Sequence, residues 1–462
     1  MASSLESGDL HTRPAPAAPS CDRQESDSMP SLPWYRQVSG VQWKAFFATF
    51  LGWLLDGFDF LIMTFILIDI QDSFTVDRAL AGALGTVTLM FRLVGGFGAG
   101  MMADRWGRRL PLMLSILWFS VFAFLSGFST SYAMLFGFRA LFGIGMGGVW
   151  AAGMPLALEH WPTRLRGLAS GLLQGGWYWG YILAALTYHT IYPLFEGIAD
   201  PLGGGAGSTI GWRVMFWVGL LPALLVIWIR RSVSESPVWQ ERQRRLREEA
   251  AAGGAGTLEA AESTSVLRLF RPELLWATVQ SSVLMGTFMF SYYSLSFWYP
   301  TFLIERGHST LGYLLLFNLS GIVGMALWGR VSETALGRRG AVTVAALIGV
   351  VSIPAFLGSG ATLLAVGAVV MGVSGAGIWG VAPSYLTERF PTAVRGVGPG
   401  LTYHVGASLG ALTPFVLGRL QDGGMTTGGA MQICIAISGL LVAAIIWMGP
   451  ETRGRRFTPT EE

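Results

Sequence analysis

The stretch Trp53-Leu54-Leu55-Asp56-Gly57-Phe58-Asp59-Phe60 lies inside an apolar run from Ala45 to Ile68. A run of that length crosses a bilayer as a helix, which needs about 20 apolar residues. Asp56 and Asp59 share one face of that helix. At ~1.5 Å per residue they sit roughly 18 Å and 22 Å along the axis from Lys44. Both are deep in the hydrocarbon layer, where an ionised carboxylate is costly unless it meets a cavity or a partner. The spacing predicts that the pair faces an aqueous gap between helix bundles. The competing reading is a buried pair that neutralises arginines and pins helices together.

Composition agrees with a membrane solvent. Of 462 residues, 52% are hydrophobic and only 13% charged, against about a quarter charged in soluble domains. The 62 glycines suit close helix packing in lipid. Cys21 lies in a polar tail and Cys434 in an apolar run, so neither a disulfide nor a thiolate metal site is expected. No nucleotide loop, metal cluster or nucleophile constellation is present. An enzyme, an ATP-driven pump, a cofactor and a nucleic-acid partner are therefore not expected.

Twelve spans are predicted, over 45–68, 79–101, 110–129, 131–155, 167–190, 212–230, 275–303, 309–330, 341–358, 361–383, 397–418 and 429–448. Only helices or a closed barrel satisfy their backbone in lipid, and these runs are too long and unalternating for barrel strands. The fold class is all-α: twelve transmembrane helices in two six-helix bundles. Residues 1–42 read as a disordered tail and pre-helix, without the apolar core of a signal peptide. Residues 43–230 form the first bundle, 231–273 a central loop, 274–448 the second bundle and 449–462 a second tail. Within the loop, Glu241 to Glu249 reads as a surface helix, followed by an Ala/Gly-rich flexible piece.

Arginines follow the even-numbered spans: Arg105, Arg108 and Arg109; Arg164 and Arg166; Arg338 and Arg339; Arg389 and Arg395; Arg453, Arg455 and Arg456. Arg78 and Arg306 are scattered exceptions. The positive-inside rule places both termini and the central loop in the cytoplasm. A shift of 229 positions (329 − 100) superposes Gly100 on Gly329, Asp104 on Glu333, Gly148 on Gly377, Trp150 on Trp379, Glu159 on Glu388, Pro162 on Pro391 and Arg166 on Arg395. Two parallel repeats imply two bundles related by an axis along the membrane normal, with a substrate site between them.

Gly100-Met101-Met102-Ala103-Asp104-Arg105-Trp106-Gly107-Arg108-Arg109 resembles the major facilitator superfamily signature between helices 2 and 3. Arg139-Ala140-Leu141-Phe142-Gly143-Ile144-Gly145-Met146-Gly147-Gly148 resembles its helix 4 pattern, and Ser234-Glu235-Ser236-Pro237-Val238-Trp239 its motif after helix 6. The Asp-Gly-Phe-Asp core of Asp56–Asp59, with Pro33-Trp34-Tyr35-Arg36 before it, is similar to sialic acid transporters. Gly171-Leu172-Leu173-Gln174 and Pro399-Gly400-Leu401-Thr402-Tyr403 are similar to lactate permeases of the same sialate/lactate proton-symporter branch. The resemblance implies a monomeric proton-coupled carrier in the plasma (inner) membrane, taking up a small organic anion: a lactate-like monocarboxylate, sialic acid or an aromatic acid. Two positions depart from the pattern. Val149 stands where many relatives carry Glu, and Ser291 to Pro300 lacks the His and Asp of lactate permeases.

A carboxyl that alternates between dry and arginine-paired surroundings changes its proton affinity. Asp59 is assigned the proton, with Arg139 holding either Asp59 or the substrate carboxylate. Asp56 and Arg92 form a second, more structural pair. His404 could relay a proton, or be a packing residue. Gln174, Tyr178, Trp150, Tyr292, Tyr293, Asn318, Trp379 and Tyr403 could line a polar-aromatic cavity together with Arg92 and Arg139. Asp104, Arg105, Arg108, Arg109, Glu159 and Arg166, with Glu333, Glu388 and Arg395, are gating candidates whose cytoplasmic salt bridges would hold the outward-facing state. A proton-driven exporter of metabolites or drugs is the main rival reading. A transporter-like nutrient sensor is a lesser one, since it would usually need a longer signalling tail.

Overall fold

The computed structural model describes residues 33–162, 165–203, 209–251, 266–391, 394 and 397–454. The tail 1–32, Cys21, the Ala/Gly-rich part of the central loop and Arg395 lie outside them, as does the side chain of Arg166. The described residues from Gly40 onward form one compact unit.

The first half contains α1 (Gly40–Leu61), α2 (Leu67–Phe74), α3 (Arg78–Trp106), α4 (Arg109–Ser126), α5 (Tyr132–His160), α6 (Arg166–Ile191), α7 (Gly211–Val218) and α8 (Ala223–Ser232). The surface helix α9 (Pro237–Ala251) follows. The second half contains α10 (Pro272–Ser296), α11 (Tyr299–Glu305), α12 (Thr310–Val331), α13 (Gly337–Phe356), α14 (Ala361–Met371), α15 (Ala382–Arg389), α16 (Val397–Gly410), α17 (Thr413–Asp422) and α18 (Thr427–Ile445).

Among the described residues, 10 segments are long and apolar enough to cross a membrane. They include α1 with its 3-10 extension to Phe65, α7 with α8, and α14 through α15. Two further segments complete the twelve. Helix α6 is 26 residues long but dilutes its apolar content with Gln174, His189 and several Gly, Trp and Tyr residues. The segment α16–α17 breaks near Ala411 and Leu412, ahead of Pro414 in the first turn of α17. Proline fits there because a first-turn N–H has no intrahelical partner. Large apolar side chains such as Val94, Met101, Leu224, Val323 and Val351 point outward, as a lipid-facing surface requires.

The internal repeat is built into the helix crossings. A Cβ on Gly143 would stand 2.1 Å from the Thr88 carbonyl oxygen, and one on Gly372 2.3 Å from that of Phe317. The second pair is the first displaced by the repeat (372 − 143 = 317 − 88 = 229). Likewise Gly95 faces the Ile144 carbonyl and Gly324 that of Val373. Backbones meet this closely only where a side chain is missing. The two halves differ in where their helices break, as at α6 against α16–α17. Helix α5 is continuous, whereas its counterpart is interrupted by a π turn at Gly372–Ala376 and a 3-10 turn at Gly377–Gly380.

Candidate functional site

Between the halves lies a central chamber with about 410 Å³ of empty space. Helix α1 supplies Trp53 to its wall, α3 supplies Arg92, and α6 supplies Gln174, Trp177 and Tyr178. From the second half come Met289, Tyr292 and Tyr293 of α10, Met325 of α12, Trp379 and Tyr403. Gln174, Trp379 and Tyr403 also line a second chamber of about 630 Å³. That chamber runs past Trp150 and Met154 to Leu158 and Thr387, next to the Arg108 and Arg338 clusters. Trp379 reaches both chambers from the interrupted helix, as local re-winding at a π turn re-aims side chains toward functional sites.

The chambers do not continue to the other end. There Arg78 pairs with Glu305 at 2.7 Å and donates to Gln421 at 2.5 Å and Thr427 at 2.8 Å. The Asp422 carboxylate accepts from the backbone N–H groups of Arg78 and Ala79, at 3.0 and 2.8 Å. This places an anion on the positive N-terminus of α3. Every one of these bonds joins the first half to the second.

Helices α1, α3 and α5 carry four charged side chains inside the first half. Asp56, Asp59, Arg92 and Arg139 are each at most 1% exposed. Asp56 lies in the field of Arg92 and Arg139, and Asp59 in that of Arg139 and Asp56. No hydrogen bond reaches either carboxylate or any nitrogen of Arg139. Arg139 is instead laid over the Phe142 ring at 4.0 Å. Of the four, Arg92 alone lines a described chamber. Its guanidinium stacks over Trp53 at 4.9 Å, with Trp177 at 5.8 Å and Tyr403 at 5.9 Å, and its Nε and Nη2 have no partner. The expectation that the carboxylates themselves face an aqueous gap is therefore corrected. They point into the first bundle, toward the arginines of α3 and α5, and Arg92 stands between Asp56 and the chamber.

The other expected site residues separate into groups. Tyr403 stacks flat on Trp150, with centroids 4.4 Å apart. His404 lines neither chamber; its ring meets the edges of Trp150 and Tyr403 and fills the space left by Gly96. Asn318 is fully buried and donates to Leu314 in its own helix at 2.8 Å. Tyr178 donates to the Ala376 carbonyl at 2.9 Å.

Three participants were not anticipated. Trp177 donates to Tyr292 Oη at 2.9 Å and Tyr181 to the Ser296 carbonyl at 2.7 Å, both across the bundle boundary. Trp53 forms the floor under Arg92. Each could have been found from spacing: Trp177 and Tyr181 are four apart on the face of Tyr178, and Trp53 lies one turn before Asp56.

At the basic end, Arg108 pairs with Asp104 at 2.6 Å and with Glu159 at 3.4 Å. Arg338 repeats this with Glu333 at 2.6 Å and Glu388 at 2.8 Å. Two acids to which the sequence assigned no gating role complete the pattern. Glu235 accepts from the backbone N–H groups of Arg108 and Arg109, and Glu451 from those of Arg338 and Arg339. Ser236 and Thr452, the next residues, bond Glu159 and Glu388. The backbone passes these carboxylates at Gly107 (φ 95°) and Gly337 (φ 70°), where a Cβ would collide with them and only glycine takes the turn easily. Arg109 donates to the Arg230 carbonyl, and Arg105 lies against Trp106. The bonds named here for each network lie within its own half.

Two helix bundles around an arginine-bearing aromatic chamber, closed at one end, define a membrane transport protein. The chain belongs to the Major Facilitator Superfamily, whose family model matches residues 45–414. It is 33% identical over 91% of its length to 93% of a probable 4-methylmuconolactone transporter of Cupriavidus pinatubonensis. It is 31% identical over 89% of its length to 95% of the sialic acid transporter NanX of Escherichia coli. To the cis,cis-muconate transport protein of Acinetobacter baylyi it is 30% identical, over 88% of this chain and 96% of that one. The partially occluded, inward-open structure of the xylose transporter XylE from E. coli superposes with a TM-score of 0.69 at 20% identity, covering 90% of this chain and 100% of that one. The protein is thus a transporter and not an enzyme.

Proposed function

We propose that this chain is a monomeric inner-membrane symporter that moves a small organic carboxylate and a proton into the cell by alternating access. Both termini lie in the cytoplasm, consistent with the arginine-rich even-numbered loops. In that orientation the closed Arg78 end faces outward, and the second chamber leads toward the cytoplasm.

The observation that carries this reading is the unpartnered fork of Arg92 in the chamber wall. A planar guanidinium binds a carboxylate through two parallel hydrogen bonds. The buried site holds two arginines and two aspartates, so its formal charge is zero when all are ionised. An incoming anion leaves it at −1, and one proton restores neutrality. A substrate carboxylate that takes the Arg92 fork also draws off the counter-charge of Asp56, so the Asp56–Asp59 pair is where that proton belongs. Asp59, beside Arg139, is its resting place. Entry of an anion against the membrane potential is unfavourable by ~2.3 kcal/mol per 100 mV, and the co-bound proton cancels that work. The relatives named as transporters of sialic acid and of cis,cis-muconate, both carboxylates, support the carboxylate class.

The test is uptake into proteoliposomes with an acid exterior. Carboxylate accumulation should follow the proton gradient, and Asp59→Asn should abolish gradient-driven accumulation while leaving counterflow. Full gradient-driven accumulation by Asp59→Asn would overturn the proton assignment. Substrate leaving vesicles in exchange for entering protons, with no uptake, would replace the symporter by an exporter.

A further inference from the structure

We infer that the central chamber selects a flat, conjugated or aromatic acid bearing one carboxylate, held by Arg92; this rests on the carboxylate reading above and narrows it.

The wall supplies one positive charge. Beyond Arg92 and Gln174, the residues around the chamber are Trp, Tyr and Met. Part of their polarity is engaged within the protein. The Trp177 N–H is given to Tyr292, and the Tyr178 hydroxyl to the Ala376 carbonyl. The Arg92 Nε and Nη2 are left as buried donors without partners. The single cation therefore asks the ligand for one anionic group, and the ring faces and thioethers that make up most of the wall favour a largely apolar body. A hydroxyl that falls opposite a ring face, out of reach of Gln174 and the tyrosine hydroxyls, would be stripped of water at a loss of about tenfold in affinity. A second carboxylate would find no second cation in this wall. These conditions disfavour lactate, a polyhydroxylated sugar acid and a linear dicarboxylate.

The shape of the wall selects for flatness. Trp53 already lies under the guanidinium, and Trp177 and Tyr403 flank it. A planar acid bonded in the plane of the Arg92 fork would extend between aromatic faces, with Trp379 across the chamber. Offset stacking on such faces favours a planar ring over a puckered ring of equal size by about three- to tenfold.

The experiment is equilibrium binding to purified full-length protein, read by quenching of tryptophan fluorescence and checked by calorimetry. The ligands are benzoate, cyclohexanecarboxylate, benzamide, lactate, N-acetylneuraminate and terephthalate. Benzoate should bind tightest, cyclohexanecarboxylate three- to tenfold weaker, terephthalate at least tenfold weaker, and lactate, N-acetylneuraminate and benzamide at least thirtyfold weaker. Trp379→Leu should bring the benzoate to cyclohexanecarboxylate ratio near one and keep the preference for benzoate over benzamide. A saturated, hydroxylated or doubly charged acid that binds as well as benzoate overturns the flat-acid inference and leaves the carboxylate reading standing. Benzamide binding as well as benzoate, or no binding by any acid, overturns both. The wild-type series decides between these outcomes without any variant.

Discussion

The hydroxyl of Tyr178 in α6 donates to the carbonyl oxygen of Ala376, 2.9 Å away, in the π turn of the opposite half. The bond joins the first half to a place where the second half departs from its repeat. Tyr178→Phe removes this bond, worth about 0.5–1.5 kcal/mol, while the Ala376 carbonyl keeps its place at the start of the 3-10 turn. That loss falls on the conformer in which the bond exists. Distance measurements between spin labels on the two halves should show a shift of about two- to tenfold away from this conformer, with little loss of helix content by circular dichroism.

The closed end is held by one ion pair and one capped helix. Arg78 and Glu305 are about one-third exposed, and such a pair contributes ~0–1 kcal/mol. The Asp422 carboxylate on the first N–H groups of α3 adds ~0.3–1 kcal/mol. Either Arg78→Gln or Asp422→Asn alone should raise labelling of an introduced Thr86→Cys, from that side of the membrane, about two- to fivefold. The double variant should raise it further.

Inside the first half, Arg139 and Asp59 balance each other without a hydrogen bond. Removing one member leaves a buried charge uncompensated and costs about 3–5 kcal/mol. Arg139→Gln should therefore lower the melting temperature sharply. Arg139→Gln combined with Asp59→Asn should recover most of the loss, because the neutral pair has no orphan charge. A double variant no more stable than Arg139→Gln would show that the two are not coupled.

Gly95 and Gly96 are neighbours with different neighbours of their own. A Cβ on Gly96 would stand 2.7 Å from His404 Cε1, and one on Gly95 1.7 Å from the Ile144 carbonyl oxygen. Overpacking of this kind costs about 1–3 kcal/mol. Gly96→Ala should be rescued by His404→Ala, which clears the side chain. No single side-chain change clears a backbone carbonyl, so Gly95→Ala should resist rescue. Thermal melts of the four variants check this.

Outside the spans, Asp69 accepts from the Tyr192 hydroxyl at 2.5 Å. Burial pushes its carboxyl up from 3.8 to about 6, against the lowering effect of that hydrogen bond, with Asp72 and Glu196 adding like charge nearby. The folded state thus holds a proton that the unfolded chain has released. The protein is more stable at the acid end of this interval and loses stability as pH rises from about 4 to about 6. Asp69→Asn should remove that part of the slope in melting temperature against pH, a few degrees across the interval.

The parts legible in the sequence are those that solvent writes directly into it. Long apolar runs and arginine spacing marked the spans, and the displaced Gly, Glu and Pro residues marked the repeat. The π turn at Gly372–Ala376 was not legible, because hydropathy is indifferent to whether a helix closes its bonds at i+4 or i+5. The part played by Glu235 and Glu451 was hidden for another reason. Each reaches a helix N-terminus more than a hundred positions away, although Glu-Ser after the sixth span and Glu-Thr after the twelfth carried a signal. For Asp56 and Asp59, helical spacing gave a shared face but could not say which neighbours that face would meet. Here they are the arginines of α3 and α5, one side chain back from the chamber.

The broken winding between Met371 and Ala382 also bears on how the second half moves. A turn closed at i+5 holds one peptide more than its neighbours need. That surplus can be passed along the segment by exchanging bond partners one at a time, without unravelling the whole rod. Trp379 rides on this slack, so its indole can swing while the glycine-keyed crossings on either side keep their register.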